Sequence, residues 1–211
     1  MNELVKLPAI ELLQLHSRIL EELRSRDILR GNNNPAGDYA EWLFAKACDW
    51  TLERNAQIGF DAVDADGRRI QIKCRRLPSR KTARLLSVIR GLNDRPFDIF
   101  AAVLLDENYN IYRAALIPIE VVQAKAIYSA RVNGHRLLLR DGVWLEPGVI
   151  DVTERLKQAQ RLAIEEQTTP VLNDQSISNQ AMLGWLRERR QKLRPKDFDA
   201  ATAVREERDD F

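Results

Sequence analysis

The segment GFDAVDADGRRIQIKCRR at residues 59–76 constrains the fold of this 211-residue chain more than any other, because it specifies a β-hairpin and its register. A loop of three residues over 65–67 places Gly67 in the left-handed conformation that such a loop requires. Asp64 then lies opposite Arg68, where the two strands meet the loop. Because side chains alternate between the two faces of a strand, this register decides which residues share a face.

The three-residue loop separates the hairpin into a polar face and an apolar face. On the polar face Asp61 lies across from Gln71, and Gly59 lies across from Lys73, with about 5 Å between neighbours. A two-residue turn at 66–67 is the alternative, but it pairs Asp61 with an isoleucine and leaves the acid among apolar groups. We therefore predict the three-residue loop. The apolar face is then formed by Phe60, Ala62, Ile70 and Ile72.

The remaining sequence predicts a mixed α/β (α+β) fold. Apolar residues at helical spacing indicate helices, and apolar runs between turn residues indicate strands. The predicted helices span 8–26, 38–53, 119–128 and 151–166. Residues 79–96 are predicted to be a basic loop with a short helix. The predicted strands after the hairpin span 97–105, 111–118 and the pair 135–140 with 143–149. The first of these is apolar throughout, which is typical of a strand that is buried on both faces.

Composition is that of an ordinary globular protein, with 45% hydrophobic and 30% charged residues. No apolar run approaches the roughly 18 residues of a membrane span, so we expect no membrane partner. The two cysteines form neither a disulfide framework nor a zinc-binding pattern, which favours a cytoplasmic location. We expect four regions: an N-terminal helix at 1–30, a core at 31–162, a linker at 163–179 and a C-terminal helical extension at 180–211.

Basic residues are concentrated around the hairpin, although the net charge of the chain is only +2. Residues 68–95 contain ten basic residues and one acid, Asp94. Such a cluster favours a polyanionic partner over a merely solvated face. A second cluster, WLRERRQKLRPK, lies in the C-terminal extension, and there the two interpretations are equally favoured.

Glu41 lies in the predicted helix before the hairpin, on a stripe that is otherwise apolar. This spacing points the Glu41 side chain toward the edge of the sheet. Asp38, three residues earlier, makes a capping box the alternative role for Glu41, and the two roles are compatible. The apolar members of the stripe are Phe44, Ala45, Cys48 and Leu52.

Four polar residues occur in a recognisable order: Glu41 in GDYAEWLFAKA, Asp61 in GFDA, and Gln71 and Lys73 in QIK. Together they resemble the pattern of the PD-(D/E)xK nuclease superfamily. The resemblance covers roughly residues 37–155, and this run looks like an uncharacterised bacterial branch of the superfamily. Phe60 stands where the proline-aspartate signature would begin, so that part of the pattern is missing. The resemblance implies a restriction-endonuclease-like fold, with a mixed central sheet flanked by helices.

The resemblance also implies a catalytic set and a Mg²⁺ ion, with Mn²⁺ as a substitute. Asp61, the Gln71 side-chain oxygen and the Ile72 backbone carbonyl would be metal ligands, and Glu41 would hold a metal-bound water or a second metal. Lys73 would orient the attacking water or stabilise the charge of the transition state. The residues expected to contact nucleic acid are Arg69, Arg75, Arg76, Arg80, Lys81 and Arg84.

The expected activity is hydrolysis of phosphodiester bonds in DNA, in defence or repair, with RNA left open. A homodimer and a partner protein bound by the C-terminal helices are further expectations. The alternative is a non-catalytic module of the same fold that binds nucleic acid or protein within a larger complex. A simple structural ion pair between Asp61 and Lys73 on a solvated sheet face would accompany that alternative.

Overall fold

The computed structural model describes residues 3–32, 34–57, 59–79 and 82–168. One compact unit spans Leu15–Thr169. Residues 3–14 belong to a second unit and comprise a 3₁₀ helix, Glu3–Lys6, and the start of the first α-helix. The C-terminal extension expected at 180–211 lies outside the described residues.

The described part of the chain contains four α-helices: α1 (Ala9–Ser25), α2 (Pro35–Cys48), α3 (Ile119–Lys125) and α4 (Thr153–Thr168). It also contains eight strands: β1 (Thr51–Gln57), β2 (Phe60–Val63), β3 (Arg69–Arg76), β4 (Ile99–Leu105), β5 (Ile111–Pro118), β6 (Ile127–Ser129), β7 (Gly134–Arg136) and β8 (Ile150–Asp151). The fold is mixed α/β, as the sequence predicted. In this part of the chain no helix combines the length and apolar character that crossing a membrane requires.

A six-stranded mixed sheet, in the order β1-β2-β3-β4-β5-β8, forms the centre of the unit. Only β3 and β4 pair in parallel; the other neighbours are antiparallel. Strands β6 and β7 form a separate two-stranded sheet. Strand β4 lies in the middle, and its residues from Phe100 onward are buried, which confirms the prediction from its apolar run.

Each face of the sheet has its own apolar core. Helices α2 and α4 cover one face, where Phe44 and Leu156 pack on alternate residues of β4 such as Val103. The opposite face packs against the segment before β4 and against α3, with Leu86 and Ile117 among its buried residues. The two layers explain why β4 carries almost no polar side chain.

The hairpin has the register that the three-residue loop predicts. Ala62 pairs with Ile70, and Gly67 has a φ of 79° in the loop. The Asp64 N–H donates to the Arg68 carbonyl at 3.1 Å. Ala62, Ile70 and Ile72 are buried beneath α2, which confirms three members of the apolar face. The fourth prediction was wrong: Phe60 is half-buried and packs on the opposite core, because the β1–β2 ladder is irregular there.

Helix α2 begins three residues earlier than predicted. Asn34 is its N-cap and accepts a hydrogen bond from the Ala36 N–H at 3.0 Å, and Pro35 opens the helix. Asp38 therefore caps nothing, and the predicted capping box is wrong. The Asp38 carboxylate instead accepts from the backbone N–H groups of Arg30 and Gly31, at 2.8 and 2.7 Å.

The end of α2 was also predicted too late. The helix ends at Cys48, where Asp49 takes a left-handed conformation with φ 58°. Residues 51–53, predicted to be helical, begin strand β1 instead. The error arises because Asp49 ends the helix without the glycine that usually marks such a position.

Two further predictions need correction beyond the hairpin. Residues 79–96 contain no α-helix in their described part, only the 3₁₀ helix Leu92–Asp94. The predicted pairing of 135–140 with 143–149 is wrong, because Asp141–Leu145 is a 3₁₀ helix and β7 pairs with β6. The expected linker at 163–179 is helical up to Thr168, and the remainder lies outside the described residues.

Candidate functional site

Asp61 on β2 is the centre of a hydrogen-bond network with the neighbouring strand. Its Oδ2 accepts a hydrogen bond from the Ile72 backbone N–H at 2.6 Å and another from the Gln71 side-chain Nε2. Gln71 is buried, with 7% of its surface exposed. The predicted juxtaposition of Asp61 and Gln71 is therefore present in the fold.

Lys73 completes the polar group on this hairpin. Its Nζ lies 4.0 Å from Asp61 Oδ2, and the two side chains are 22% and 16% exposed. A contact at this distance is at the limit of an ion pair, so it holds the lysine loosely. The ammonium therefore lies beside the carboxylate without being neutralised by a close contact.

Glu41 approaches the same region from α2 and forms an ion pair with Arg30. Burial raises the pKa of Glu41, and the charge of Asp61 raises it further, while Arg30 opposes both effects. The effect of Asp61 on Glu41 means that the two carboxylates lie near each other, and both side chains are mostly buried. Such a pair is stabilised by a cation, which relieves the repulsion between the carboxylates.

Glu41 and Lys73 line one open cleft of about 880 Å³. The N-terminal turn of α2 and the outer end of β3 supply other parts of its wall, including Arg75 and Arg76. The cleft therefore combines one acid of the candidate site with three cationic side chains. Such a concentration of positive charge in a cleft attracts anions.

The donor set fits a hard divalent cation. Asp61 and Glu41 offer carboxylate oxygens, and Mg²⁺ is commonly held by one or two carboxylates together with water. Both hydrogen bonds to the Asp61 carboxylate are made to Oδ2. The same part of the chain contains no group of three His, Cys, Asp or Glu side chains placed to hold a metal.

The orientation of Gln71 differs from the one that the sequence prediction requires. Its amide nitrogen faces Asp61, so its oxygen is turned away from that carboxylate. The amide would have to rotate to present its oxygen to a shared cation. In the present orientation Gln71 positions Asp61, and its role as a metal ligand stays a prediction.

Neither models of protein families nor curated proteins give a match to this sequence. The chemistry of the site therefore has to be inferred from its own residues.

The basic residues expected to contact nucleic acid fall into two groups. Arg75 and Arg76 are exposed and line the cleft. Arg69 is bound to Asp98, with its Nε and Nη2 at 3.2 and 3.1 Å from the two carboxylate oxygens. Arg84 donates to Asp141 at 2.6 Å and to the Tyr112 hydroxyl at 3.1 Å. Arg80 and Lys81 lie outside the described residues.

The charge excess of residues 68–95 is smaller in the fold than in the sequence. Besides Arg69 and Arg84, Arg68 is paired with Asp64 and Asp66, and Arg95 is paired with Glu120. None of these acids lies within the segment, so the count along the sequence missed them. The charges without a carboxylate partner in the described part of the segment are those of Arg75, Arg76 and Arg90.

Two features of the site were not found from the sequence. Arg30 neutralises Glu41 and also donates to the Glu53 carbonyl at 2.6 Å, although no local motif marks it. Tyr109 lies beneath the Arg76 guanidinium, 4.9 Å from it to the ring centre. Both contacts join residues from different elements, so no local sequence pattern marks them.

Proposed function

We propose that this protein is a metal-dependent nuclease with a restriction-endonuclease-like fold. The observation that carries the proposal is the junction of Asp61 with Gln71, Ile72 and Lys73 at the point where β2 and β3 diverge. Glu41 approaches this junction from the preceding helix, and its pKa responds to Asp61. The order of these groups along the chain is the order in the nuclease pattern.

Each residue has a distinct role in this proposal. Asp61 and Glu41 would hold Mg²⁺ or Mn²⁺, which supplies a charge that neutralises the phosphate oxygens and activates water. Lys73 positions the attacking water and offers a proton donor beside the scissile phosphate. Gln71 and the Ile72 N–H hold the Asp61 carboxylate in place. Arg75 and Arg76 bind phosphates of the substrate strand along the cleft.

A cleavage assay tests the proposal. The purified protein is incubated with single- and double-stranded DNA and RNA in the presence of Mg²⁺, Mn²⁺ or a chelator. We expect cleavage of at least one substrate with metal and none with chelator. Lys73→Met should lower the rate by about 100-fold or more. Arg90→Met is the matched control, because Arg90 is an exposed cation of the same segment and does not line the cleft.

The second candidate is a non-catalytic module that binds nucleic acid through the same cleft. The ion pair of Glu41 with Arg30 favours it, because that carboxylate already has a cationic partner. Retained binding without any metal-dependent cleavage would support this candidate over the nuclease. The cytoplasmic location, the homodimer and a partner of the C-terminal extension stay predictions.

A further inference from the structure

A second cavity, of about 490 Å³, opens beside the cleft. The two share four lining residues, so they adjoin. Away from the shared residues, the walls of the second cavity come mainly from apolar side chains of α1, α4 and the segment after α1, such as Leu20, Leu29 and Ala163. A charged cleft therefore lies directly beside an apolar pocket. The four shared residues are His16, Pro35, Arg76 and Tyr109.

Tyr109 is held at the junction by an unusual backbone conformation. Its φ is 63°, in the left-handed region that is uncommon for a residue with a bulky side chain. Asp106 maintains the turn by accepting hydrogen bonds from the backbone N–H groups of Asn108 and Asn110 at 2.8 and 2.9 Å. The Tyr109 ring consequently lies under Arg76 and meets the edge of Tyr39 at 6.2 Å between centroids.

Gln160 gives the apolar pocket a fixed polar group. Its Nε2 donates to the Tyr39 hydroxyl at 2.7 Å and to the Tyr109 carbonyl at 2.9 Å, which uses both amide protons. Its Oε1 accepts no hydrogen bond from the described residues. The Tyr39 hydroxyl accepts from Gln160 and therefore retains its own proton for donation; burial raises the pKa of Tyr39, so the proton is present at neutral pH. The pocket thus offers one acceptor and one donor.

We propose that this pocket binds one unpaired nucleobase of the substrate strand while Arg75 and Arg76 hold the adjacent phosphates. The inference rests on the proposed function and adds the substrate class: single-stranded or locally unpaired DNA or RNA. A nucleotide has the same two-part chemistry as the two adjoining cavities, an anionic phosphate next to a flat ring with donors and acceptors on its edge. A base inside a duplex is stacked and paired, so it cannot enter the pocket without being extruded.

Binding measured in chelator, where no cleavage occurs, tests this inference. The probe is a fluorescein-labelled oligodeoxynucleotide of mixed sequence, compared with its blunt duplex, with an RNA of the same sequence, and with an abasic oligodeoxynucleotide of equal charge. Fluorescence anisotropy gives the affinities. We expect the single strand to bind about tenfold or more tightly than the abasic strand, which retains the phosphates but lacks the bases. The RNA arm shows whether the pocket discriminates between the two sugars.

A pocket-filling variant provides the second arm. Ile19 lines the pocket and is 44% exposed, so Ile19→Trp fills the pocket from its rim and spares the core. We expect this variant to bind the single strand about tenfold more weakly and to bind the abasic strand as the wild type does. Leu162→Trp is the matched control, since Leu162 is 47% exposed on α4 and does not line the pocket.

Equal affinity of the wild type for the intact and abasic strands would overturn the inference, as would an Ile19→Trp variant with unchanged affinity for the single strand. Neither result would bear on metal-dependent cleavage, which the separate assay of Lys73→Met decides. Conversely, loss of the proposed catalytic function would leave a base-dependent affinity in chelator intact.

Discussion

Asp61 and Ile72 are joined by a hydrogen bond that takes the place of a backbone contact in the hairpin. In the observed register, with Ala62 opposite Ile70, a continued ladder would have the Ile72 N–H donate to the Phe60 carbonyl. The N–H donates instead to Asp61 Oδ2 at 2.6 Å. The carboxylate thus stabilises the point at which β2 and β3 diverge.

Substitution of Asp61 should separate its structural role from its proposed catalytic role. Asp61→Ala leaves the Ile72 N–H and the buried Gln71 amide without an acceptor, which should lower the free energy of unfolding by about 1–3 kcal/mol. Asp61→Asn retains an oxygen acceptor and should be nearly as stable as the wild type. Both should cleave at about one hundredth of the wild-type rate or less, because the negative charge is lost. Chemical denaturation and the cleavage assay give the two quantities.

An Asp61→Asn variant that cleaves at the wild-type rate would contradict the proposed role, because it would show that the carboxylate is only a structural acceptor. Gln71→Leu gives a further control, since it removes the amide donor and leaves the charge of Asp61 in place.

The register of the hairpin could be predicted because strand alternation leaves only two choices, and one of them buries Asp61 among apolar groups. The same reasoning brought Gln71 and Lys73 to Asp61. It failed for Phe60, because the irregular pairing of β1 with β2 lies outside the hairpin itself. The alternation of side chains within the hairpin was therefore sufficient to predict the faces of residues where the strand pairing is regular.

Charge partners could not be predicted, because they come from other elements. Asp98 lies 29 positions from Arg69, and Asp141 lies 57 positions from Arg84. The predicted start of α2 was wrong for a different reason. Two sequence patterns are typical of a helix start here: Asn34 with Pro35, and Asp38 with Glu41. Asp38 does not cap the helix, because its carboxylate accepts hydrogen bonds from the Arg30 and Gly31 N–H groups.

Gly59 should be intolerant of any side chain. Its φ is 105°, and a Cβ atom there would lie 2.3 Å from the Pro96 Cβ. Gly59→Ala should lower the free energy of unfolding by about 1–3 kcal/mol or more, because both backbone strain and overlap with a ring oppose it. Gly142→Ala is the control, since nothing lies within 4 Å of a Cβ at that position. Equal melting temperatures for the two variants would contradict this account.

The two groups of arginines should differ in their contribution to nucleic-acid binding. Arg75→Ala and Arg76→Ala should each weaken binding and reduce the slope of log affinity against log salt by about 0.7–0.9. Arg69→Ala should leave the slope unchanged, because its guanidinium is bound to Asp98. Anisotropy titrations over a series of salt concentrations in chelator measure the slopes. A slope that falls for Arg69→Ala and not for Arg75→Ala would reverse the assignment of the two groups.

Glu41→Gln should make the protein more stable and less active. Burial and the charge of Asp61 hold the pKa of Glu41 above its usual range, so the folded state favours the protonated carboxyl. The stability that this group contributes is complete below its unfolded pKa of about 4.3 and is lost as the pH rises through the folded pKa. At neutral pH the variant should therefore melt above the wild type, and the difference should shrink toward about pH 4. Cleavage should fall by about 10–100-fold if Glu41 holds a metal-bound water as proposed. Glu120→Gln is the control of opposite sign, because a hydrogen bond from Arg95 lowers the pKa of that exposed carboxyl.

A Glu41→Gln variant that melts below the wild type at neutral pH, with full activity, would show that the ion pair with Arg30 is the whole role of Glu41.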